Sequence, residues 1–372
     1  MPSNSAAKLL RTRTPLEVQD APYPAPQPDQ IVIRNRAIAV NPVDWSLQLA
    51  GTIMYRWLSY PAVLGSDVAG DVVEIGSAVT RFAVGDRVLG QAVGTDKDSD
   101  SPAEGAFQHY TVVLERLVSP IPETLSYEQA SVLPLGISTA ACALFQKDLL
   151  ALRHPSATPL PTGETVLIWG GSTSVGANAI QLAVAAGYEV ITTASPKNAA
   201  SVTGLGASQV FDYGSPTVVA DVIAALRGKT LAGTFAIGKG SSERCVDIVR
   251  AVDGRKFIAL ASTPVTFESV AGGGRVGLKL VRVLTRIGAS MAALLLRCRI
   301  HGIGTKFVFG TTLKHNEVSR LIYEEFLPSA LAEGRYVAFP EPLVVGHGLE
   351  AVQVALDTQR KGVGARKVVV TL

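Results

Sequence analysis

Apolar residues gather in brief runs through the first third of the chain and in longer, regularly spaced sets through its middle. Between 28 and 120 the runs sit at 31–33, 37–40, 68–75 (interrupted by Gly70) and 107–113, and Gly85-Asp86-Arg87-Val88 is a turn feeding one more. Short β-former runs punctuated by Gly, Pro and Asp predict strands, and so many of them predict a small barrel. From 125 to 145 the spacing becomes helical, opened by Ser126 with Glu128 and Gln129 in the first turn. After a Pro-rich connector at 154–161, strands at 165–169, 189–193, 209–211, 233–237, 256–261 and 306–309 alternate with helical stretches. That alternation predicts a doubly wound parallel sheet. A helix at 349–358 and a strand at 367–372 close the chain.

The stretch 165–176 carries the most chemistry. Its apolar β-run stops at Gly170-Gly171, and from Val175 the period changes: Ala177, Ile180, Leu182, Ala183 and Ala186 make an apolar helix ending at Gly187. A strand, a tight small-residue turn and a helix place free backbone N–H groups where an anion can sit. The G-x-G-x-x-G pattern is incomplete, since counting back from Gly176 reaches Gly171 and then Thr173. A glycine-rich turn without a ligand therefore stands beside the phosphate cradle as the plainer reading.

The strand at 189–193 follows at βαβ distance. In a site for NAD it would end in a carboxylate that accepts from the ribose 2′-hydroxyl. Here it ends Thr193-Ala194-Ser195-Pro196-Lys197-Asn198. A carboxylate repels a 2′-phosphate, whereas a hydroxyl, an ammonium and an amide bind one, so the pattern points to NADPH.

Composition narrows the class. Of 372 residues, 47% are hydrophobic and 17% charged, which argues for a well-buried globular enzyme with room for two cores. The net charge of +3 is too small to argue nucleic-acid binding. No apolar leader follows Met1, and the longest apolar run, 287–296, falls far short of the roughly 20 residues a membrane span needs. Cys142, Cys245 and Cys298 lack metal or redox spacing and read as reduced core thiols of a cytoplasmic protein.

Seven further stretches occur in one order: Asn41-Pro42-Val43-Asp44, then 64–70, Gly85-Asp86-Arg87-Val88, Gly105-Ala106-Phe107 with Tyr110, 133–140, Leu205-Gly206-Ala207 before Phe211-Asp212-Tyr213, and 364–370. Together they resemble the zinc-free, quinone-reductase-like branch of the medium-chain dehydrogenase/reductase family, and within it the fungal enoyl reductases that act in trans on polyketide synthases. The resemblance implies an α/β architecture in which a Rossmann doubly wound parallel sheet (138–310) is inserted in a GroES-like β-barrel domain (1–137 and 311–372). It places the coenzyme in the cleft of the two. In the zinc enzymes of the family, metal ligands fall where this chain has Asn41, Ser66 and Leu135, none of which replaces a thiolate or imidazole. The expectation is metal-free hydride transfer from NADPH to an activated C=C, with the conjugated carbonyl as electron sink. A quinone or enone reductase is the alternative, and a cofactor-binding member with a redox-neutral or non-catalytic role is a third.

The same resemblance assigns residues. Ser172, Thr173, Ser174 and Val175 line the pyrophosphate, and Ser195, Lys197, Asn198 and Tyr213 the adenosine 2′-phosphate; in the plainer view Lys197 is a solvated surface lysine and Tyr213 a core aromatic. Leu260 and Ala261 run past the nicotinamide ribose as backbone. Thr139 lies near the nicotinamide, or else satisfies a helix carbonyl. Asn41 and Asp44 match positions at the cleft floor, although Asp44 also suits a turn cap after Pro42. Related trans-acting reductases often carry a lysine where this chain has Ser46, which makes Ser46 a candidate and a departure. Tyr55 and Tyr60 are further proton donors, and exposed aromatics in the plainer view. The implied partner is a small-molecule or carrier-protein-bound enoyl substrate, with a polyketide synthase behind it; no nucleic acid and no membrane are expected, and the chain is expected as monomer or homodimer.

Residues 272–300 stand out. After Gly272-Gly273-Gly274, the cations Arg275, Lys279, Arg282, Arg286, Arg297 and Arg299 alternate with apolar residues at helical spacing. A Rossmann helix with a solvated basic face explains this. The sharper reading is a wall for an acyl group whose arginines meet an acidic carrier protein.

Overall fold

The computed structural model describes residues 3–262 and 276–372, and of residues 276–280 the backbone alone. Two compact units emerge, Met1–Leu135 with Lys314–Leu372, and Gly136–Leu313. The boundaries fall a few residues from the expected 137/138 and 310/311. The Leu135 N–H donates to Asp67 Oδ1 at 2.6 Å within the first unit, and Gln146 Nε2 donates to Thr312 Oγ1 at 2.9 Å within the second.

The first unit is built on a seven-stranded sheet. Its strands run in the order Glu341–His347, Arg366–Thr371, Gln30–Ala39, Asp67–Ile75, Arg87–Gln91 and Val118–Pro120, with Tyr110–Leu114 also pairing with Gln30–Ala39. A smaller sheet joins Glu17–Ala21, Asn4–Leu9 and Ala62–Val63. The two strands expected at 31–33 and 37–40 are one. The polar triplet Arg34-Asn35-Arg36 looks like a break in the sequence, but each side chain has a partner within the sheet, although Arg34 Nε and Asn35 Oδ1 are buried without one among the described residues. Asn35 Nδ2 donates to the Gln108 carbonyl at 2.7 Å, and Arg34 and Arg36 both reach Asp71 Oδ2, at 2.8 and 2.9 Å. Gly70 is required on the neighbouring strand, because a Cβ there would lie 2.1 Å from the Arg34 carbonyl oxygen.

Two helix expectations change. The segment 125–145 forms two helices, Tyr127–Ser131 and Pro134–Phe145, since Pro134 has no N–H to continue the first and sits naturally at the start of the second. The Ser126 cap forms as expected, with Ser126 Oγ accepting from the Gln129 N–H. Asn41 is the N-cap of a helix the hydrophobic pattern does not announce, Pro42–Met54, whose buried side includes Asp44, Ser46 and Gln48 beside Trp45 and Leu47.

The second unit is a six-stranded parallel sheet in the order Gln209–Asp212, Glu189–Ala194, Glu164–Trp169, Thr230–Ala236, Phe257–Leu260 and Gly304–Phe307. Order 3-2-1-4-5-6 is the expected doubly wound topology, with its reversal beside the strand Glu164–Trp169. Helices sheathe the sheet. Leu167, Ile191, Val222, Val246, Ile258 and Leu294 are essentially excluded from solvent in one core. Burial on both sides is why the strands read as continuous apolar runs rather than as alternations. A long helix, Val276–Ile300, precedes the last strand. The expected features at Gly272, Gly273, Gly274 and Arg275, and the side chains of Val276, Lys279 and Leu280, lie outside the described residues.

Candidate functional site

Chemistry-bearing residues form a separate set in each unit. In the second, the strand Glu164–Trp169 ends at Gly170, held at φ +89°, and the helix Ser174–Ala185 begins four residues later. Three glycines make the turn this tight. A Cβ on Gly171 would meet Thr192 Oγ1 at 2.3 Å, one on Gly176 the Gly170 carbonyl oxygen at 2.2 Å, and one on Gly170 the Ile237 carbonyl oxygen at 2.7 Å. Thr173, where the fingerprint has glycine, is the N-cap. Its Oγ1 accepts from the Gly176 N–H at 3.0 Å and donates to the Gly170 carbonyl at 2.8 Å.

That cap leaves donors open. Among the described residues no partner takes the backbone N–H of Ser172 or of Val175. Unpaired N–H groups at the start of a 12-residue helix suit an anion, through hydrogen bonding and the helix dipole together. A dinucleotide pyrophosphate fits this turn.

The neighbouring strand end lies beside this turn. Parallel register pairs Ala194 with Asp212, so Ser195 and Tyr213 leave the sheet side by side. Ser195 opens the short turn Pro196–Asn198, with its carbonyl accepting from the Asn198 N–H at 2.9 Å and Lys197 exposed. Tyr213 is 44% exposed. The carboxylate nearest in sequence, Asp212, accepts from the Gly214 N–H at 2.8 Å. Arg244 joins this edge unannounced by any motif: it donates to the Tyr213 carbonyl at 3.1 Å, and its guanidinium lies 5.5 Å from the Trp169 ring centroid. Only the third dimension brings a residue of the helix Ser241–Ala251 to two strand ends.

Of the remaining assigned positions in this unit, Thr139 is buried in the helix Pro134–Phe145, with Gly310 so close that a Cβ there would lie 2.6 Å from Thr139 Oγ1. Leu260 ends the fifth strand, its carbonyl accepting from Val308, and the Ala261 N–H donates to the Ala236 carbonyl. The three thiols are buried, and burial pushes that of Cys142 up to about 12, which makes it a poor nucleophile or metal ligand at neutral pH.

The first unit holds a buried polar cluster around Asn41. Asn41 Nδ2 donates to Asp67 Oδ2 at 2.7 Å, and Lys367 Nζ donates to Asn41 Oδ1 at 2.5 Å and lies 2.8 Å from Asp67 Oδ2. Asp67 is fully buried and the Lys367 side chain 5% exposed. Lys367 belongs to the motif at 364–370, yet nothing in the sequence indicates an ion pair 300 residues away.

Asp44 sits at the edge of this cluster, its Oδ2 accepting from the Asn41 N–H at 2.7 Å. Burial raises its carboxyl pKa to about 7. The Asn41 N–H opposes that shift, the charge of Asp67 adds to it, and the Lys367 ammonium and the Gly65 N–H oppose it. The Ser46 hydroxyl donates to the Pro42 carbonyl of its own helix at 2.7 Å. Asn41 and Asp44 thus hold each other at the helix start, and Ser46 braces the first turn of the same helix. Tyr55 stacks on Trp57 with centroids 4.7 Å apart, and the Tyr60 hydroxyl is buried with no hydrogen-bond partner among the described residues. Among the described residues no group of three or more His, Cys, Asp or Glu side chains could hold a metal ion, and no helix is long and apolar enough to cross a membrane.

Comparisons with known proteins match this architecture. Residues 27–123 match the alcohol dehydrogenase GroES-like domain. The chain is 50% identical over 374 residues to dehydrogenase pigH of Monascus ruber, covering all of both chains. It is 37% identical over 372 residues to trans-enoyl reductase himH of Aspergillus japonicus, covering 99% of this chain and 97% of the relative. Among solved structures, an alcohol dehydrogenase superfamily protein from Novosphingobium aromaticivorans superposes with a TM-score of 0.74 at 24% identity, over 99% of each chain.

Proposed function

Because the chain belongs to the medium-chain dehydrogenase/reductase family, we propose that it is an NADPH-dependent reductase of α,β-unsaturated thioesters or ketones, acting in trans on a carrier-bound substrate of a polyketide pathway. The observation that carries the coenzyme choice is the end of the second parallel strand. Ser195, Lys197 and Asn198 stand where an NAD site keeps a carboxylate, and Arg244 adds a second cation at the same edge. The reaction type is supported by the similarity to a relative named as a trans-enoyl reductase.

When bound, the dihydronicotinamide supplies a hydride to the β-carbon of the conjugated alkene. The protein's part is binding and orientation. The Ser172 and Val175 N–H groups hold the pyrophosphate while Thr173 and Ser174 shape the turn. Ser195, Lys197, Asn198 and Tyr213 hold the 2′-phosphate. Thr139, Leu260 and Ala261 line the nicotinamide end. Asn41, Asp44 and Ser46 act as positioning residues, since each has its polar atoms engaged inside its own unit. The carbonyl conjugated to the alkene takes up the electron pair as an enolate, and a proton from solvent or a nearby donor then adds at the α-carbon, so this reading calls for no metal.

The test follows NADPH absorbance with crotonyl and longer enoyl thioesters beside small ortho-quinones. Turnover of the thioesters with little of the quinones is expected. Preference for the quinones would replace this reading with the detoxifying one, and coenzyme binding without oxidation by any acceptor would leave a redox-neutral role.

A further inference from the structure

The helix Val276–Ile300 carries five cations in 25 residues and no carboxylate. Its inner side is ordinary: Val283, Leu294 and Cys298 are buried, and Arg297 is paired with Asp247 at 3.0 Å. Its outer side is not. Arg282, Arg286, Ala289, Ala293, Leu296 and Ile300 recur every three or four residues, which puts them on one face, and all six are exposed. Leu296 and Ile300 are 60% and 68% accessible, and no ion pair among the described residues engages Arg282 or Arg286. The face is graded, with two arginines at one end, two alanines in the middle and two large aliphatic side chains at the other.

We propose that this face docks an acidic protein, the carrier domain that presents the enoyl thioester; the proposal rests on the function proposed above. Charge complementarity names the occupant. Guanidinium forks suit paired carboxylates, and Ala289 and Ala293 allow the backbone of a partner helix to approach closely. Leu296 and Ile300 need an apolar patch at the far end of the footprint. An anionic lipid surface fits less well, since the helix has no aromatic residue and this face offers two large aliphatic side chains for insertion.

The experiment compares crotonyl-pantetheine with a crotonyl group on the phosphopantetheine thiol of an acidic carrier protein, using wild type, R282E/R286E and L296Q/I300Q. Calorimetric titration of the unacylated carrier and a thermal melt accompany the kinetics. Reversing the two arginines is expected to lower kcat/KM for the carrier-linked substrate about tenfold or more, and to leave crotonyl-pantetheine within about twofold. L296Q/I300Q should lower the carrier-linked rate in the same selective way, so the proposal stays testable even if the charge reversal fails to fold. Added salt should slow only the carrier-linked reaction.

Equal effects on both substrates, or none on either, would overturn the docking face. So would binding to phosphatidylserine-containing vesicles that R282E/R286E abolishes while carrier-linked turnover is unchanged. If wild type reduces neither substrate, the enzymatic reading fails by itself, and the carrier titration decides this proposal: tight binding lost in R282E/R286E upholds it, and no binding ends it.

Discussion

A buried ammonium beside a fully buried carboxylate is tolerable only while both are present. Lys367→Met would leave Asp67 charged with the Asn41 amide and the Leu135 N–H as its remaining donors, and should cost about 3–5 kcal/mol of stability. Adding Asp67→Asn removes the orphaned charge and should recover much of the loss. Urea midpoints of the two variants check this, and a double variant no more stable than Lys367→Met would contradict it.

Asp44 yields a pH dependence with a definite sign. Its pKa rises from the ordinary 3.8 to about 7 on folding, so between those values the folded chain holds a proton that the unfolded chain has released. Stability from this group is therefore full at low pH and lost as pH climbs through that window, by at most about 1.4 kcal/mol per pH unit. Asp44→Asn keeps an acceptor for the Asn41 N–H and cannot titrate. Its stability, measured by urea unfolding from pH 5 to 8, should gain on wild type as pH rises; a loss would refute the assignment. At the coenzyme edge, Lys197→Ala should weaken NADPH binding about tenfold and leave NADH unaffected, which fluorescence titration reads. These residues differ in how visible they are. Lys197 announces itself by following a strand, whereas the partnership of Asn41, Asp67 and Lys367 and the placement of Arg244 depend on contacts across the fold.

Among elements, the phosphate turn is the one where local sequence says nearly everything. The apolar run, the glycine pair and the change of period are contiguous, so strand, turn and helix are legible without tertiary information. Even the apparent defect at Thr173 is a cap in place of a glycine. Gly176→Ala should damage this element specifically, because its Cβ would lie 2.2 Å from the Gly170 carbonyl oxygen and the helix would have to move away from the strand. The expected outcome is a folded protein, by circular dichroism, that is less stable and binds NADPH at least tenfold more weakly; unchanged affinity would show that the close approach is unnecessary. Elements whose polar residues are satisfied at long range are the ones the pattern obscures. Asn35 splits a continuous strand to the eye, and Gln48, bonded to Gln353, helps disguise the helix Pro42–Met54.

For the whole molecule, the alternation of six strands with helices is enough to give the parallel sheet of the second unit, and the short punctuated strands before it the β-rich part of the first; that residues 314–372 return to the first unit is what the family resemblance implies rather than what the pattern indicates. The reaction is less legible than the fold. The chemistry of enoyl reduction belongs largely to coenzyme and substrate, so the chain needs few diagnostic side chains for it. What the chain does carry is a glycine turn with open N–H groups and a strand end, Ser195, Lys197 and Asn198, which on the function proposed above takes an extra phosphate. Calorimetric titration of the purified protein with NADPH and with NADH therefore tests the account most directly. A stoichiometric NADPH complex at least tenfold tighter than that with NADH is predicted; equal affinities, a preference for NADH, or no binding of either would contradict it.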